Sequence, residues 1–310
     1  SAGYQLNNPL PFPRHNPDIP AYTVTIDIPG VFMLKDFVHL IQCKIKRMRE
    51  AENFKATLRN QVIKYALFLL GVIAFVKCIT TFMPEAILVS STINGRQLPI
   101  YCVETDEKKI ALSFDAAWGN EDTQQILDIL AKHNVHVTFF MTGGWVESYP
   151  DDVKAILAAG HDLGNHSENH KNMSQLSNEE KKEELMSVHE KVKELTGYEM
   201  FLFRPPYGDY DNDVIQTATE CGYYSIQWDV DSLDWKDYGT DSIINTVCNH
   251  KHLGSGSIIL CHNGAKFTAE ALDSMITNLK GQGYQIVPVS ELIYREGYHM
   301  NAEGRQIKDS

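Results

Sequence analysis

The sequence predicts a parallel α/β domain, either a (β/α) barrel or a doubly wound sheet, over residues 108–296. Seven apolar, strand-like runs alternate with amphipathic stretches in this region. Strands with helical returns favour a parallel sheet, because each crossover covers one face. In both architectures functional side chains lie at the carboxyl ends of the strands. Five of the seven runs are followed by polar or charged residues, as this arrangement requires.

Hydrophobic spacing assigns the elements in order. The predicted strands are residues 110–114, 137–141, 161–164, 201–204, 223–228, 257–261 and 284–289. The predicted helices are residues 121–132, 153–159, 178–195, 211–221, 240–248 and 268–279. The flanking residues 85–107 are assigned to a linker and residues 297–310 to a carboxyl-terminal tail.

The amino-terminal part of the chain differs in composition from the rest. Residues 1–32 carry six of the twelve prolines, which opposes helix formation, and a basic helical pattern follows up to residue 64. Residues 1–64 hold nine Lys and Arg against five Asp and Glu, which leaves nineteen against thirty-five for the remainder. Nucleic-acid binding needs clustered basic residues, so the acidic main part excludes a nucleic acid as the expected partner. The six cysteines form no CxxC pair, so no zinc ribbon is indicated.

An apolar run predicts a transmembrane helix at residues 61–84, after a cytoplasmic segment at residues 1–60. The run is broken once by Lys77, and about nineteen residues at about 1.5 Å each approach the roughly 30 Å bilayer core. A buried helix is the alternative. The basic flank predicts a cytoplasmic amino terminus, and therefore a single-pass cell-membrane protein whose main domain is extracytoplasmic.

Chemistry-bearing residues follow the predicted strands. They are Asp115, His166, His170, Arg204, Tyr207, Asp234, Trp235 and His262. The two histidines of the HSENH stretch are four residues apart, about one helical turn, so both can point at one metal ion of zinc type. That spacing alone also fits two surface histidines on a helix. The gathering of polar groups at five strand ends favours a functional site.

These motifs resemble the polysaccharide deacetylases of NodB homology, carbohydrate esterase family 4. The resemblance covers residues 108–292 and includes HSxxH from His166, RPPYG from Arg204, DxxDW up to Trp235 and LxH up to His262. It is closest to the membrane-anchored, sporulation-type bacterial branch. It implies a distorted (β/α)7 barrel that removes N-acetyl groups from N-acetylglucosamine or N-acetylmuramic acid units of peptidoglycan, chitin or a related glycan.

The resemblance also implies a role for each residue in the reaction. His166 and His170 would hold a divalent metal, with Zn²⁺ expected and Co²⁺ or Ni²⁺ as alternatives. Asp115 would be the general base and His262 the general acid for the leaving amine. A helix-capping aspartate is the alternative interpretation of Asp115, and a structural histidine is the alternative for His262.

Five further residues would support this chemistry. Arg204 would keep the base ionised and Asp234 would orient the acid, although either could be a simple salt-bridge residue. The backbone N–H of Tyr207 would be an oxyanion donor beside the metal. Leu260 and Trp235 would line the acetyl pocket and a groove wall, and core packing is the alternative for the indole.

One position departs from the family pattern. The second aspartate of the first motif, which is the third metal ligand in the family, is Ala116 here. Water, or a carboxylate from residues 120–122, would have to fill the position. The site could work with an altered metal shell, need a high metal supply, or be a catalytically weakened or inactive glycan-binding homologue. Retention of Asp115 and His262 favours activity. A different hypothesis is an extracytoplasmic assembly partner that docks through residues 1–64.

Overall fold

The computed structural model describes residues 29–82 and 95–309, and the chain divides into the units Ser1–Thr81 and Phe82–Ser310. The first unit contains one long helix, α1 (Pro29–Phe82), whose side chains are exposed over residues 37–73. Most of the proline-rich segment lies outside the described residues, so the predicted docking role of residues 1–64 stays a prediction.

The predicted membrane span coincides with the end of α1. Within the described part of the chain, no helix contains a stretch that is long and apolar enough to cross a bilayer. The span predicted at residues 61–84 is therefore not supported. The side chains of residues 74–82, and residues 83 and 84 entirely, lie outside the described part.

The second unit contains the alternating strands and helices. Its strands are β1 (Cys102–Val103), β2 (Lys109–Ala116), β3 (Thr138–Met141), β4 (Asp162–Asn165), β5 (Leu202–Phe203), β6 (Tyr224–Ser225), β7 (Val230–Asp231), β8 (Ile258–Asn263), β9 (Gln285–Val287), β10 (Tyr298–Met300) and β11 (Arg305–Lys308). Its helices are α2 (Thr123–His133), α3 (Gly143–Ser148), α4 (Pro150–Ala158), α5 (Asn178–Thr196), α6 (Asn212–Glu220), α7 (Thr240–Cys248), α8 (Thr268–Gly281) and α9 (Val289–Leu292).

The predicted parallel α/β architecture is confirmed. All pairings in the main sheet are parallel, in the order β6-β5-β4-β3-β2-β8-β7, and β9 also pairs with β2. The amino-terminal half of β2 pairs with β9 and its carboxyl-terminal half with β3. Strand β2 thus shares one edge between two partners, and the arrangement is consistent with the (β/α)7 fold implied by the resemblance.

The predicted strand at residues 223–228 is different in the structure. Only β6 forms within it, and the chain crosses in four residues to β7, which pairs with β8 at the other edge of the sheet. The two edge strands are therefore neighbours in sequence without pairing with each other. The opening of the barrel lies between them.

A second, smaller sheet uses residues that the sequence assigned to the linker and the tail. Strand β1 pairs in parallel with β11, which pairs antiparallel with β10. Ile100, Val103 and Met300 are buried in an apolar cluster with residues of the main sheet. The two segments that flank the barrel thus pack against it.

Candidate active site

The predicted base and acid lie side by side on the two central strands. Asp115 of β2 is the direct pairing partner of His262 of β8. Both are at the carboxyl ends of their strands, and paired residues of neighbouring strands are about 5 Å apart. The register therefore places a carboxylate and an imidazole next to each other at the mouth of the barrel.

Asp115 is held by a buried ion pair with Arg204. The guanidinium Nη1 donates to Asp115 Oδ1 at 2.7 Å, and both side chains are buried. Burial acts to raise the pKa of Asp115, but the charges of Arg204, His166 and His262 outweigh it and hold the pKa below its ordinary value. The carboxylate is therefore ionised at neutral pH. Arg204 also donates to the Gln227 carbonyl at 3.3 Å.

The two histidines lie in a loop after β4, which corrects the helical geometry assumed from their spacing. Ser167 and His170 both have left-handed backbone angles, φ 64° and φ 54°. Asn165 Oδ1 accepts from the Ser167 N–H at 2.9 Å, and Ser167 Oγ accepts from the His170 N–H at 3.0 Å. Such conformations cost about 1–3 kcal/mol each and persist only where surrounding contacts fix them.

The imidazoles nevertheless converge. His166 Nδ1 donates to the Arg204 carbonyl at 2.7 Å, which leaves its Nε2 as the acceptor, 3.2 Å from Nε2 of His170. Nitrogen ligands about 2.0–2.1 Å from a tetrahedral zinc ion lie about 3.3 Å apart, so this separation fits a shared ion. Burial lowers the pKa of His166 to about 4 and also lowers that of His170, and neutral imidazoles are the form that binds metal.

The third ligand position is not filled by the candidates named from the sequence. Ala116 ends β2 and is fully buried in the main apolar cluster. Asp122 Oδ1 instead accepts from the Gly264 N–H at 2.8 Å, Asn120 donates to Asp152, and Glu121 is exposed. Over residues 29–82 and 95–309, no three His, Cys, Asp or Glu side chains form a group that could hold a metal ion.

His262 is hydrogen-bonded to Asp234, the residue expected to orient it. The fully buried carboxylate accepts from His262 Nδ1, from the His262 backbone N–H and from Thr268 Oγ1, each at 2.7 Å. Burial acts to lower the pKa of His262, but the hydrogen bond and charge of Asp234 raise it above its ordinary value. A protonated imidazole able to donate a proton from Nε2 is therefore favoured.

The remaining predicted residues surround these groups. Tyr207 lies in a turn after β5 with φ 59°, and its ring packs edge-on against His170 with centroids 4.5 Å apart. Leu260 is buried on the face of β8 that also carries His262. Trp235 is 49% exposed, which excludes the core-packing alternative and leaves an indole face for a sugar ring.

Two residues of the site were missed from the sequence. Trp118 is 47% exposed and stacks on His262 with centroids 5.0 Å apart and planes at 16°. An aromatic residue three positions after a strand-end carboxylate was the available signal. Glu184 of α5 is hydrogen-bonded to the loop between the two histidines. No sequence pattern indicated this contact, because Glu184 lies fourteen positions after His170 in a different element.

Comparisons with known proteins agree with this geometry. A family profile described as polysaccharide deacetylase matches residues 103–226. A peptidoglycan-N-acetylglucosamine deacetylase of Bacillus cereus is 39% identical over 62% of this chain and 91% of its own length. The peptidoglycan-N-acetylmuramic acid deacetylase PdaA of Bacillus subtilis is 36% identical over 63% of this chain and 75% of its own length.

A solved structure adds a contrasting relative. A CE4 family pseudoenzyme from Bacillus anthracis is 34% identical with a TM-score of 0.61, covering 67% of this chain and 70% of that chain. A mutant of the same pseudoenzyme is described as having restored enzymatic activity. The family thus contains both active and inactive members. Identity and coverage together show that this chain belongs to the polysaccharide deacetylase family, the NodB-homology proteins of carbohydrate esterase family 4.

Proposed function

We propose that the chain is a metal-dependent hydrolase that removes N-acetyl groups from N-acetylglucosamine or N-acetylmuramic acid units of a peptidoglycan-like or chitin-like cell-wall polysaccharide. The observation that carries the proposal is the pairing of an ionised Asp115 with a His262 whose pKa is raised, on adjacent strand ends. Amide hydrolysis needs a base and an acid in opposite protonation states, and these two environments provide them.

Each group has a defined task in this reaction. Asp115 accepts the proton of the attacking water, and Arg204 holds its carboxylate in place. His262 gives its proton to the amine nitrogen as the carbon–nitrogen bond breaks, and the Asp234 hydrogen bond fixes the ring. A divalent metal held by His166 and His170 would polarise the acetyl carbonyl and lower the pKa of a water molecule. Zn²⁺ suits two imidazoles, and Co²⁺ or Ni²⁺ could replace it.

A second candidate function is a catalytically weakened or inactive glycan-binding homologue. Ala116 favours it, because a buried methyl group replaces a metal ligand and no carboxylate in the described residues takes its place. The Bacillus anthracis relative gives the candidate a precedent in the family. Against it stands the complete acid–base machinery, since a binding site alone has no need of a buried ion pair at Asp115.

The test is acetate release by the full chain from chitooligosaccharides and from peptidoglycan. We expect release with added Zn²⁺, loss to background after dialysis against a strong chelator, and recovery when Zn²⁺ is returned. Recovery shows that chelation removed a metal and did not unfold the protein. Binding of a glycan with no acetate release at saturating Zn²⁺ would establish the glycan-binding homologue instead.

We propose that this domain acts outside the cytoplasm, at the cell membrane. The wall glycans on which its relatives act support this location. Membership of the sporulation-type branch stays a prediction. In spheroplasts of a bacterium expressing the full chain, added protease should degrade the domain and spare a cytoplasmic marker. Survival of the domain with the marker would contradict the proposed location.

A further inference from the structure

The loop that carries the metal-ligating histidines depends on contacts from outside itself. Ser167 and His170 have left-handed backbone angles although neither is glycine. Within the loop, Asn165 Oδ1 accepts from the Ser167 N–H and Ser167 Oγ accepts from the His170 N–H. His170 comes at the end of the loop, so its position also depends on what holds the residue before it, Asn169.

Asn169 is held by one residue of α5. Glu184 Oε2 accepts from the Asn169 backbone N–H at 2.7 Å, and Glu184 Oε1 accepts from Asn169 Nδ2 at 2.9 Å. The Lys171 ammonium lies 2.8 Å from the same carboxylate. The Glu184 side chain is 4% exposed. One buried carboxylate thus ties both residues that flank His170 to a rigid helix.

The ionised form of Glu184 is the one that fits these contacts. All three groups that approach it are donors, so the carboxylate acts only as an acceptor. Burial acts to raise the pKa of Glu184, but the bonds from Asn169 and Lys171 lower it below its ordinary value. A carboxamide of the same size would place an N–H against at least one of these donors.

We propose that Glu184 is the positioning residue of the histidine pair, and that its hold on Asn169 sets the affinity of the pair for a divalent metal. The inference rests on the metal binding in the proposed function. Ala116 strengthens it. With one family ligand replaced by a methyl group, two imidazoles must supply the protein's share of metal binding, so their pre-organisation has more effect on affinity.

The test is the zinc affinity of the full chain, measured by competition with a chromophoric chelator for Glu184→Gln and two controls. Glu183→Gln removes the same charge from the exposed neighbour on α5. Lys181→Met disturbs α5 itself, because the ammonium of the buried Lys181 donates to the Leu176 carbonyl at 2.8 Å and to Asn178 Oδ1 at 3.2 Å, and neither acceptor belongs to the histidine loop. Circular dichroism confirms that each variant is folded at the assay temperature.

We expect Glu184→Gln to weaken zinc binding by about 10- to 100-fold, the usual effect of losing a partner of a metal ligand, and both controls to stay close to the wild type. Hydrogen exchange of the Asn169 amide, followed without metal, should accelerate only in Glu184→Gln. If the wild type binds zinc too weakly to measure, the comparison is made in an Ala116→Asp background, where the third family ligand is restored.

Two results would overturn the inference. Zinc affinity unchanged in Glu184→Gln would show that the histidines keep their positions without this contact. An equal loss in Lys181→Met would show that general stability of α5, and no specific contact, sets the affinity. Failure of the proposed function gives a different result. In that case Glu184→Gln still binds zinc more weakly than the wild type, but the wild type releases no acetate from any glycan.

Discussion

Ala116→Asp is expected to bind zinc at least about 100-fold more tightly than the wild type and to release acetate faster by a similar factor. Partners of metal ligands commonly change affinity by about 10- to 100-fold, so a direct ligand should reach the upper end of that range or exceed it. The substitution adds a carboxylate at the carboxyl end of β2, beside the base Asp115 and on the same rim as His166 and His170.

The measurement is zinc affinity and acetate release on the same preparations. Ala117→Asp is the matched control, because it adds the same charge one residue further along the chain. It should change neither the zinc affinity nor the rate of acetate release. Unchanged zinc affinity in Ala116→Asp would mean that a residue elsewhere already completes the metal shell. A rise in affinity without a rise in acetate release would separate metal binding from catalysis and favour the glycan-binding homologue.

The same substitution should make stability depend on metal. Ala116 is fully buried among apolar side chains, so a carboxylate there is costly unless it is paired or bound to a cation. Without metal, Ala116→Asp should have a lower Tm than the wild type. Zinc should raise its Tm more than it raises that of the wild type, because tighter binding to the folded state adds more stability.

The fold could be predicted from the sequence because buried parallel strands carry continuous apolar runs. All seven runs contain a strand, and the helix predicted at residues 240–248 has the observed bounds. The small sheet could not be predicted in this way. Strand β11 reads Arg-Gln-Ile-Lys, which looks like a polar tail, and its pairing partner β1 lies about two hundred residues earlier.

The site residues that directly follow a strand could be predicted from the sequence. The residues whose backbone has left-handed angles could be predicted less well. The spacing of His166 and His170 indicated a ligand pair, but for a helical reason that the left-handed Ser167 and His170 contradict. No sequence pattern marks those angles, because polar contacts stabilise them. Glu184, which supplies some of those contacts, comes from a helix whose pattern indicates only a buried face.

Asp115→Asn is expected to lower acetate release by about 10²- to 10⁴-fold, the usual contribution of a general base. The amide has nearly the shape of the carboxylate, and its oxygen can still accept from Arg204 Nη1. The loss of rate therefore measures the missing proton transfer and not a displaced side chain at residue 115. Asp151→Asn removes an exposed carboxylate that pairs with Lys154, and it should leave the rate unchanged. Retention of the wild-type rate in Asp115→Asn would remove Asp115 from its role as base.

The same variant should be less stable, by about 3 kcal/mol at neutral pH, because a buried Arg204 loses its charged partner. The folded pKa of Asp115 is lowered, so the stability it contributes is present above its unfolded pKa of about 3.9 and is lost as pH falls through the folded pKa. Urea unfolding of the wild type and of Asp115→Asn should therefore show a difference in the free energy of unfolding. This difference should be constant above about pH 5 and should decrease as the pH falls below that value. A difference that persists unchanged to about pH 2 would mean that packing, and not the charge of the pair, accounts for the stability.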